Sequence, residues 1–210
     1  MSILKHDTTP VSALGTTTGA LVPESMATNY GFAFIKSGFE PVQQALENDF
    51  SDFGLEVVHA SPVVMDPHVV DYIYRDSRQE PFYPAMHEHL TTRPVVAMAL
   101  YSDTQNAQET LNDLKCGEHG RPSLRKKYAH SLPPLPEDEI QAWYQGIHPN
   151  QDGVTVHLTQ KNVFHAADSP DEAVASLGLM SLYNADFLSD AAKSDLRLRK
   201  LTNFFTTHLA

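Results

Sequence analysis

Residues 93–101 read RPVVAMALY, a β-branched and apolar run that fits a central strand and little else. Shorter runs of the same kind flank it. YGFAFIK, from Tyr30, is aromatic-rich and stops at Ser37-Gly38, so it reads as a buried strand ending in a turn, with Lys36 at its tip. LEVVHASPVVM is a second strand, and NVFHAADS resumes strand character late in the chain. Helical spacing fills the gaps. Val42, Leu46, Phe50 and Phe53 form one helix, which Gly54 closes as a C-terminal cap. Short helical patches lie at residues 67–74 and 81–90, and Thr104 can cap a helix that turns Ala107, Leu111 and Leu114 inward and ends at Gly117. Ser169-Pro170-Asp171-Glu172 reads as a capping box with proline at the first helical position, and the helix behind it points Ala173, Leu177 and Met180 inward. A last amphipathic helix is predicted from Ser189, burying Leu196, Leu201 and Phe204 or Phe205.

That order is βαββαβ with decorations. It predicts an α+β fold, a ferredoxin-like sandwich whose four-stranded antiparallel sheet carries helices on one face. The length of 210 residues suits one domain, and 41% hydrophobic with 20% charged residues suits a packed core. We expect a Thr-, Ser-, Gly- and Pro-rich arm over 1–28, the domain over 29–184, and a helical extension over 185–210. From 118 to 153 the pattern breaks, most clearly at LPPLPEDE, with a helical turn expected at 139–144 where Trp143 and Tyr144 find something to pack on.

The net charge of -11 opposes nonspecific contact with nucleic acid or acidic lipid. Cys116 is the one cysteine, which excludes an intramolecular disulfide and fits a reducing compartment. No apolar run approaches the roughly 20 residues of a membrane span, so a cytoplasmic, soluble chain is expected. A metal site could be sought at His87 and His89, or at Cys116 and His119. However, His-x-His puts both rings on one side only in a strand, and Cys-x-x-His lacks two further convergent ligands.

Five separated segments, in order, resemble the nucleoside diphosphate kinase family. FAFIK is similar to its first strand ending in a lysine, PFY to its Pro-Phe-Phe segment, and RPVVAMAL to its central strand. RPSLRKKYA resembles its arginine-bearing loop, and NVFHAADSPDEA its signature around a nucleophilic histidine. The likeness runs from Tyr30 to Tyr183 and leaves an insertion at about 131–159 unmatched.

The resemblance implies roles for particular side chains. His165 would accept the γ-phosphate of a nucleoside triphosphate and pass it to a diphosphate, a ping-pong pattern that suits imidazole. Lys36 would balance charge on the phosphoryl oxygens, Arg125 would grip phosphate with its forked donors, and Tyr74 would donate its hydroxyl near both. Phe82 would stack on the base, Asn162 would bond the sugar hydroxyl, and His119 stands where a phosphate-contacting threonine is usual. Mg²⁺ on the polyphosphate is implied as cofactor, nucleoside di- and triphosphates as partners, and a homo-oligomer as the assembly. Taken singly, Lys36 reads as a solvated strand end, Phe82 as core, Tyr74 as a helix-surface aromatic, Arg125 as a loop charge, Asn162 as a strand start and His165 as a satisfied core histidine. Matched together, they read as one site.

Several positions depart from the family pattern. Asn112 and Asp113 stand where a second arginine belongs, with Lys115, Arg121, Lys126 and Lys127 as replacement cations. Losing one such donor typically costs about 3 kcal/mol of transition-state stabilisation. Ala166-Ala167 replace Gly-Ser, and Ser176 replaces the glutamate that orients the imidazole, leaving Glu172 or a backbone carbonyl to do so. The altered positions favour a second reading, a catalytically silent nucleotide-binding regulator or assembly protein on the same fold.

Overall fold

β1 (Tyr30–Ile35) is buried at every residue, which a strand achieves only when both faces of its sheet are covered. The computed structural model describes residues 23–129, 136–145, 147, 163–184 and 186–208. α1 (Glu24–Asn29) leads into β1, so the end of the expected N-terminal arm is helical; residues 1–22 lie outside the described chain. Then follow α2 (Gln43–Asp52), β2 (Glu56–Val63), α3 (Pro67–Ile73), α4 (Tyr83–Thr92), β3 (Val95–Tyr101) and α5 (Ala107–Cys116). The remaining elements are α6 (Leu124–Tyr128), α7 (Glu137–Tyr144), β4 (Phe164–Ala166), α8 (Pro170–Tyr183), α9 (Ala191–Ser194) and α10 (Leu196–His208).

The sheet is antiparallel in the order β2-β3-β1-β4, the arrangement that a βαββαβ order predicts. Its covering differs from expectation. Alternation sends Phe32 and Phe34 of β1, with Ala97 and Ala99 of β3, into a core shared with Val69, Val70, Leu177 and Leu201 from α3, α8 and α10. Ala33, Ile35, Met98 and Leu100 point the other way, onto Leu46, Phe50, Leu111 and Leu114 from α2 and α5. Helices therefore lie on both faces, not one. α8 is sandwiched between the sheet and outer helices, and so it is buried on all sides from Glu172 to Met180.

Local chemistry decides the element ends. α5 is capped by Asn106, whose side chain accepts the Glu109 N–H, and not by Thr104. It ends at Gly117, whose φ of 83° is left-handed and where a Cβ would lie 2.9 Å from Ser123, so the residue that caps α6 can pack against the end of α5. The expected C-terminal helix is divided. Asp195 accepts the N–H groups of Arg197 and Leu198, which starts α10 afresh behind α9. Leu196 is left 67% exposed, whereas Leu198, Leu201 and Phe205 are buried. α10 is held to the sheet by Arg197, which pairs with Glu56 at 2.6 and 2.8 Å, and by the Tyr30 hydroxyl, which donates to the Arg197 carbonyl. No helix among the described residues is long and apolar enough to cross a membrane.

One buried amide fixes the end of β4. Gln108, fully buried on α5, accepts the Phe32 N–H at 2.9 Å and donates to the Ala167 carbonyl. Gln108→Leu keeps the volume but orphans both backbone groups. It is expected to lower the free energy of unfolding by about 2–4 kcal/mol, read by urea denaturation.

Candidate active site

β4 is three residues long, and its register against β1 sets His165 opposite Phe34. The imidazole stacks on the Phe34 ring, with centroids 5.0 Å apart, and meets the Tyr74 ring at 5.2 Å. Tyr74 closes α3. Lys36 lies two residues beyond Phe34, so alternation places it on the same sheet face as His165, and its N–H donates to the Val163 carbonyl at 3.0 Å. Arg125 comes from α6. Ser123 caps that helix by accepting the Lys126 N–H and also donates to the Lys115 carbonyl. So oriented, Arg125 donates from Nε to the Phe164 carbonyl at 3.1 Å. Lys115, in the last turn of α5, donates from Nζ to the Ala166 carbonyl at 3.2 Å and to Asp168 Oδ1 at 2.7 Å.

These side chains form one electrostatic unit. Burial holds the His165 pKa well below the ordinary imidazole value, and the charges of Lys36, Lys115 and Arg125 push it the same way. Lys36 is pushed down to about 7, first by burial and then by Arg125. Burial likewise lowers Arg125 and raises the Tyr74 phenol. The result is an imidazole that is neutral at neutral pH, with the charges of Lys36, Lys115 and Arg125 acting on it.

Three buried polar atoms, His165 Nε2, the Tyr74 hydroxyl and Ser176 Oγ, have no hydrogen-bond partner among the described residues. Glu172 does not serve the imidazole. Its carboxylate accepts the Asp168 N–H at 3.1 Å and Arg75 at 3.4 Å, while Ser169 Oγ accepts the Glu172 N–H. The capping box is thus formed, with its return bond one residue early.

The other expected residues lie around this centre. Phe82 precedes α4 and meets the Tyr144 ring edge-on at 5.7 Å, so α7 reaches the position expected to stack on the base. His119 is exposed, at a left-handed φ of 50°, and bonds Asp113 at 2.8 Å. Asn162 lies outside the described residues. Of the replacement cations, Arg121 pairs with Asp113 at 3.5 Å, Lys127 pairs with Asp49 at 2.6 Å and Lys126 is exposed, while Lys115 is the one whose charge acts on His165. Asp168 and the buried Gln108 were not singled out from the sequence. Gln108 and Lys115 sit seven residues apart on the apolar face of α5, and two polar residues on such a stripe are a signal that could have found them. Asp113, Glu118 and His119 gather within 4.8 Å of one another, a group that does not include Cys116.

A family model described as nucleoside diphosphate kinase matches residues 39–181, beginning three residues after Lys36 and taking in Tyr74, Phe82, Arg125 and His165. The chain is 26% identical over 132 residues to the nucleoside diphosphate kinase of Methanocorpusculum labreanum, covering 62% of this chain and 70% of that one. It is 26% identical over 163 residues to that of Treponema pallidum, covering 73% and 88%. Among solved structures, the nucleoside diphosphate kinase of Encephalitozoon cuniculi is similar over 72% of this chain and 87% of its own, at 20% identity and a TM-score of 0.43. That of Aquifex aeolicus is similar over 72% and 94%, at 18% identity and a TM-score of 0.42.

The depressed Lys36 has a thermodynamic signature. Between pH 7 and about 10.4 the unfolded chain holds a proton on this amine that the folded chain sheds, so Lys36 makes stability rise with pH across that window. The buried phenols of Tyr30 and Tyr74, raised by burial, oppose this only above about pH 10. Lys36→Met is expected to be more stable than the wild type at pH 7 and to lose the rise between pH 7 and 9.5, measured by urea denaturation at several pH values.

Proposed function

The chain belongs to the nucleoside diphosphate kinase family, and on that premise we propose that it moves the γ-phosphate of a nucleoside triphosphate to a diphosphate through phospho-His165. The observation that carries this reading is the buried His165 imidazole, stacked on Phe34 and beside Tyr74, on which the charges of Lys36, Lys115 and Arg125 all act. With Nε2 sealed in the interior, Nδ1 is the nitrogen left to meet substrate. Its lone pair attacks the γ-phosphorus, the bond from that phosphorus to the β,γ-bridging oxygen breaks, and the diphosphate leaves with the electron pair. A second diphosphate then attacks the phosphorus through a terminal oxygen, the P–N bond breaks, and the imidazole is returned unchanged.

Each neighbour has a physical task. Lys36 and Arg125 neutralise the transferring phosphoryl oxygens, one as a compact charge and the other as a planar fork. Tyr74 has an unengaged hydroxyl to donate at the same place. Phe82 stacks on the base, Asn162 bonds the sugar, and His119 lies at the rim. The side chains around His165 do not form a resident site for Mg²⁺: three are cations, and the nearby Asp168 already holds Lys115. Mg²⁺ therefore enters as part of the substrate, on the nucleotide phosphates.

A second reading, a nucleotide-binding regulator without transfer, is favoured by the unpartnered Nε2 and Ser176. Incubation with γ-labelled ATP separates the two. The kinase reading expects an acid-labile, base-stable label on the wild type that is lost in His165→Ala. Nucleotide binding without label at stoichiometric protein supports the regulator and removes the kinase.

Binding itself should move a proton. At pH 8 most Lys36 amines are neutral in the free protein, since the pKa lies near 7, and a polyphosphate beside the amine favours its charged form. Calorimetric titration with Mg·ADP in buffers of different ionisation enthalpy is expected to show proton uptake of most of one proton at pH 8 and little at pH 6. Uptake that is absent at pH 8, or unchanged in Lys36→Met, removes Lys36 from the phosphate site.

A further inference from the structure

Asn112 and Asp113 stand where a second arginine was expected, and both oxygens of Asp113 are spent, one on His119 and the other on Arg121. Two residues on, the helical turn points Lys115 to the opposite side, toward β4. There its ammonium has an uneven pair of partners. The Ala166 carbonyl belongs to the strand that carries His165 and cannot leave. Asp168 can. Its side chain is 78% exposed, whereas that of Lys115 is 7% exposed.

The asymmetry gives the contact a direction. A carboxylate already mostly in water loses little by turning fully into it, whereas a buried ammonium left alone loses a great deal. The exchange is therefore favourable only when another anion arrives. A phosphate oxygen offers Nζ the same acceptor chemistry with more charge. The main chain around Asp168 stays put, because its N–H is held by Glu172 and its carbonyl by Asn112. Only the side chain has to swing. Lys115 also sits close enough to add to the field at His165, alongside Lys36 and Arg125.

We propose that Lys115 is the second phosphate-directed cation of this site and that Asp168 is its replaceable counter-ion, which the terminal phosphate of the nucleotide displaces from Nζ. The inference rests on the nucleotide site proposed above. Asp168 in the free protein is then a built-in competitor of the substrate: it keeps a buried cation satisfied, and it weakens nucleotide binding by the free energy needed to release it.

Opposite signs test this. In the full chain, Lys115→Met is expected to weaken Mg·ADP binding and to slow labelling of His165 about a hundredfold, the typical loss for one positioned donor. Asp168→Asn is expected to tighten Mg·ADP severalfold, because the competitor has lost its charge. If Lys115 and Asp168 merely clamp the turn after His165, both variants weaken binding together, in step with a fall in melting temperature, and the exchange is overturned. Should Lys115→Met fail to fold, Asp168→Asn decides alone, and unchanged or weaker binding overturns the proposal. Opposite-signed affinities without any label support the exchange while removing phosphoryl transfer, and label with same-signed affinities does the reverse. A wild-type chain that does not bind Mg·ADP overturns both.

Discussion

Lys36 and Arg125 repel one another, and both, together with Lys115, bear on one buried imidazole. Gathering like charges out of water is unfavourable twice over, through desolvation and through mutual repulsion, so the surrounding structure must hold them there. The strand that carries His165 does much of the holding. The Val163 carbonyl takes the Lys36 N–H, the Phe164 carbonyl takes Arg125 Nε, and the Ala166 carbonyl takes Lys115 Nζ. One short stretch of backbone thus holds the main chain at Lys36 and the side-chain cations of Arg125 and Lys115. In the free protein Lys36 answers its burial and this repulsion by giving up its proton readily, with its pKa pushed down to about 7.

Such an arrangement needs a rigid frame, which explains why the sheet is covered twice. β4 is short and contributes little by itself, and its register depends on pairing with β1, which is buried on both faces. Gln108 then ties α5 to both strands at the exit of β4. The helix that follows the turn after His165 is buried on every side, so Asp168 and Ser169 lead into one of the most deeply packed parts of the described structure. The C-terminal helix, pinned by Arg197 to Glu56, completes the cover on that face.

Much of this was legible in the sequence because it is written in local patterns. The all-apolar FAFI ahead of Lys36, the proline and serine that open the helix after His165, and the glycines at 54 and 117 each obey rules that operate over a few residues. Other features depended on competition that a pattern does not show. Thr104 and Asn106 are both good caps, and geometry chose Asn106. Ser189 begins a plausible helix, but Asp195 caps a new one and breaks it, which moves Leu196 to the surface. The two-faced cover could have been read from the lack of alternation in FAFI and VVAMAL, since a strand open to water on one side does not spend apolar residues on both. The pairing of Lys115 with Asp168 spans a separation of 53 residues, and no local rule reaches that far.

The altered residues around the imidazole are mutually consistent. A carboxylate beside Nε2 would fix the tautomer, but it would also raise the pKa of the ring and favour imidazolium, which has no lone pair with which to attack. Here Ser176 stands at the position where the resemblance expects that carboxylate, and Lys115 adds a further positive field at the ring. Both changes keep the imidazole neutral. They also bear on which nitrogen holds the proton, because a lone pair is stabilised when it faces cations and an N–H when it faces away from them. With Nε2 sealed inside, the charges of Lys36, Lys115 and Arg125 favour, for the transfer proposed above, the proton on Nε2 and the lone pair on Nδ1. The buried Nε2–H then goes without an acceptor, a penalty of about 1–3 kcal/mol. The site does by long-range charge what an adjacent acceptor does by a hydrogen bond, at the expense of stability in the free protein.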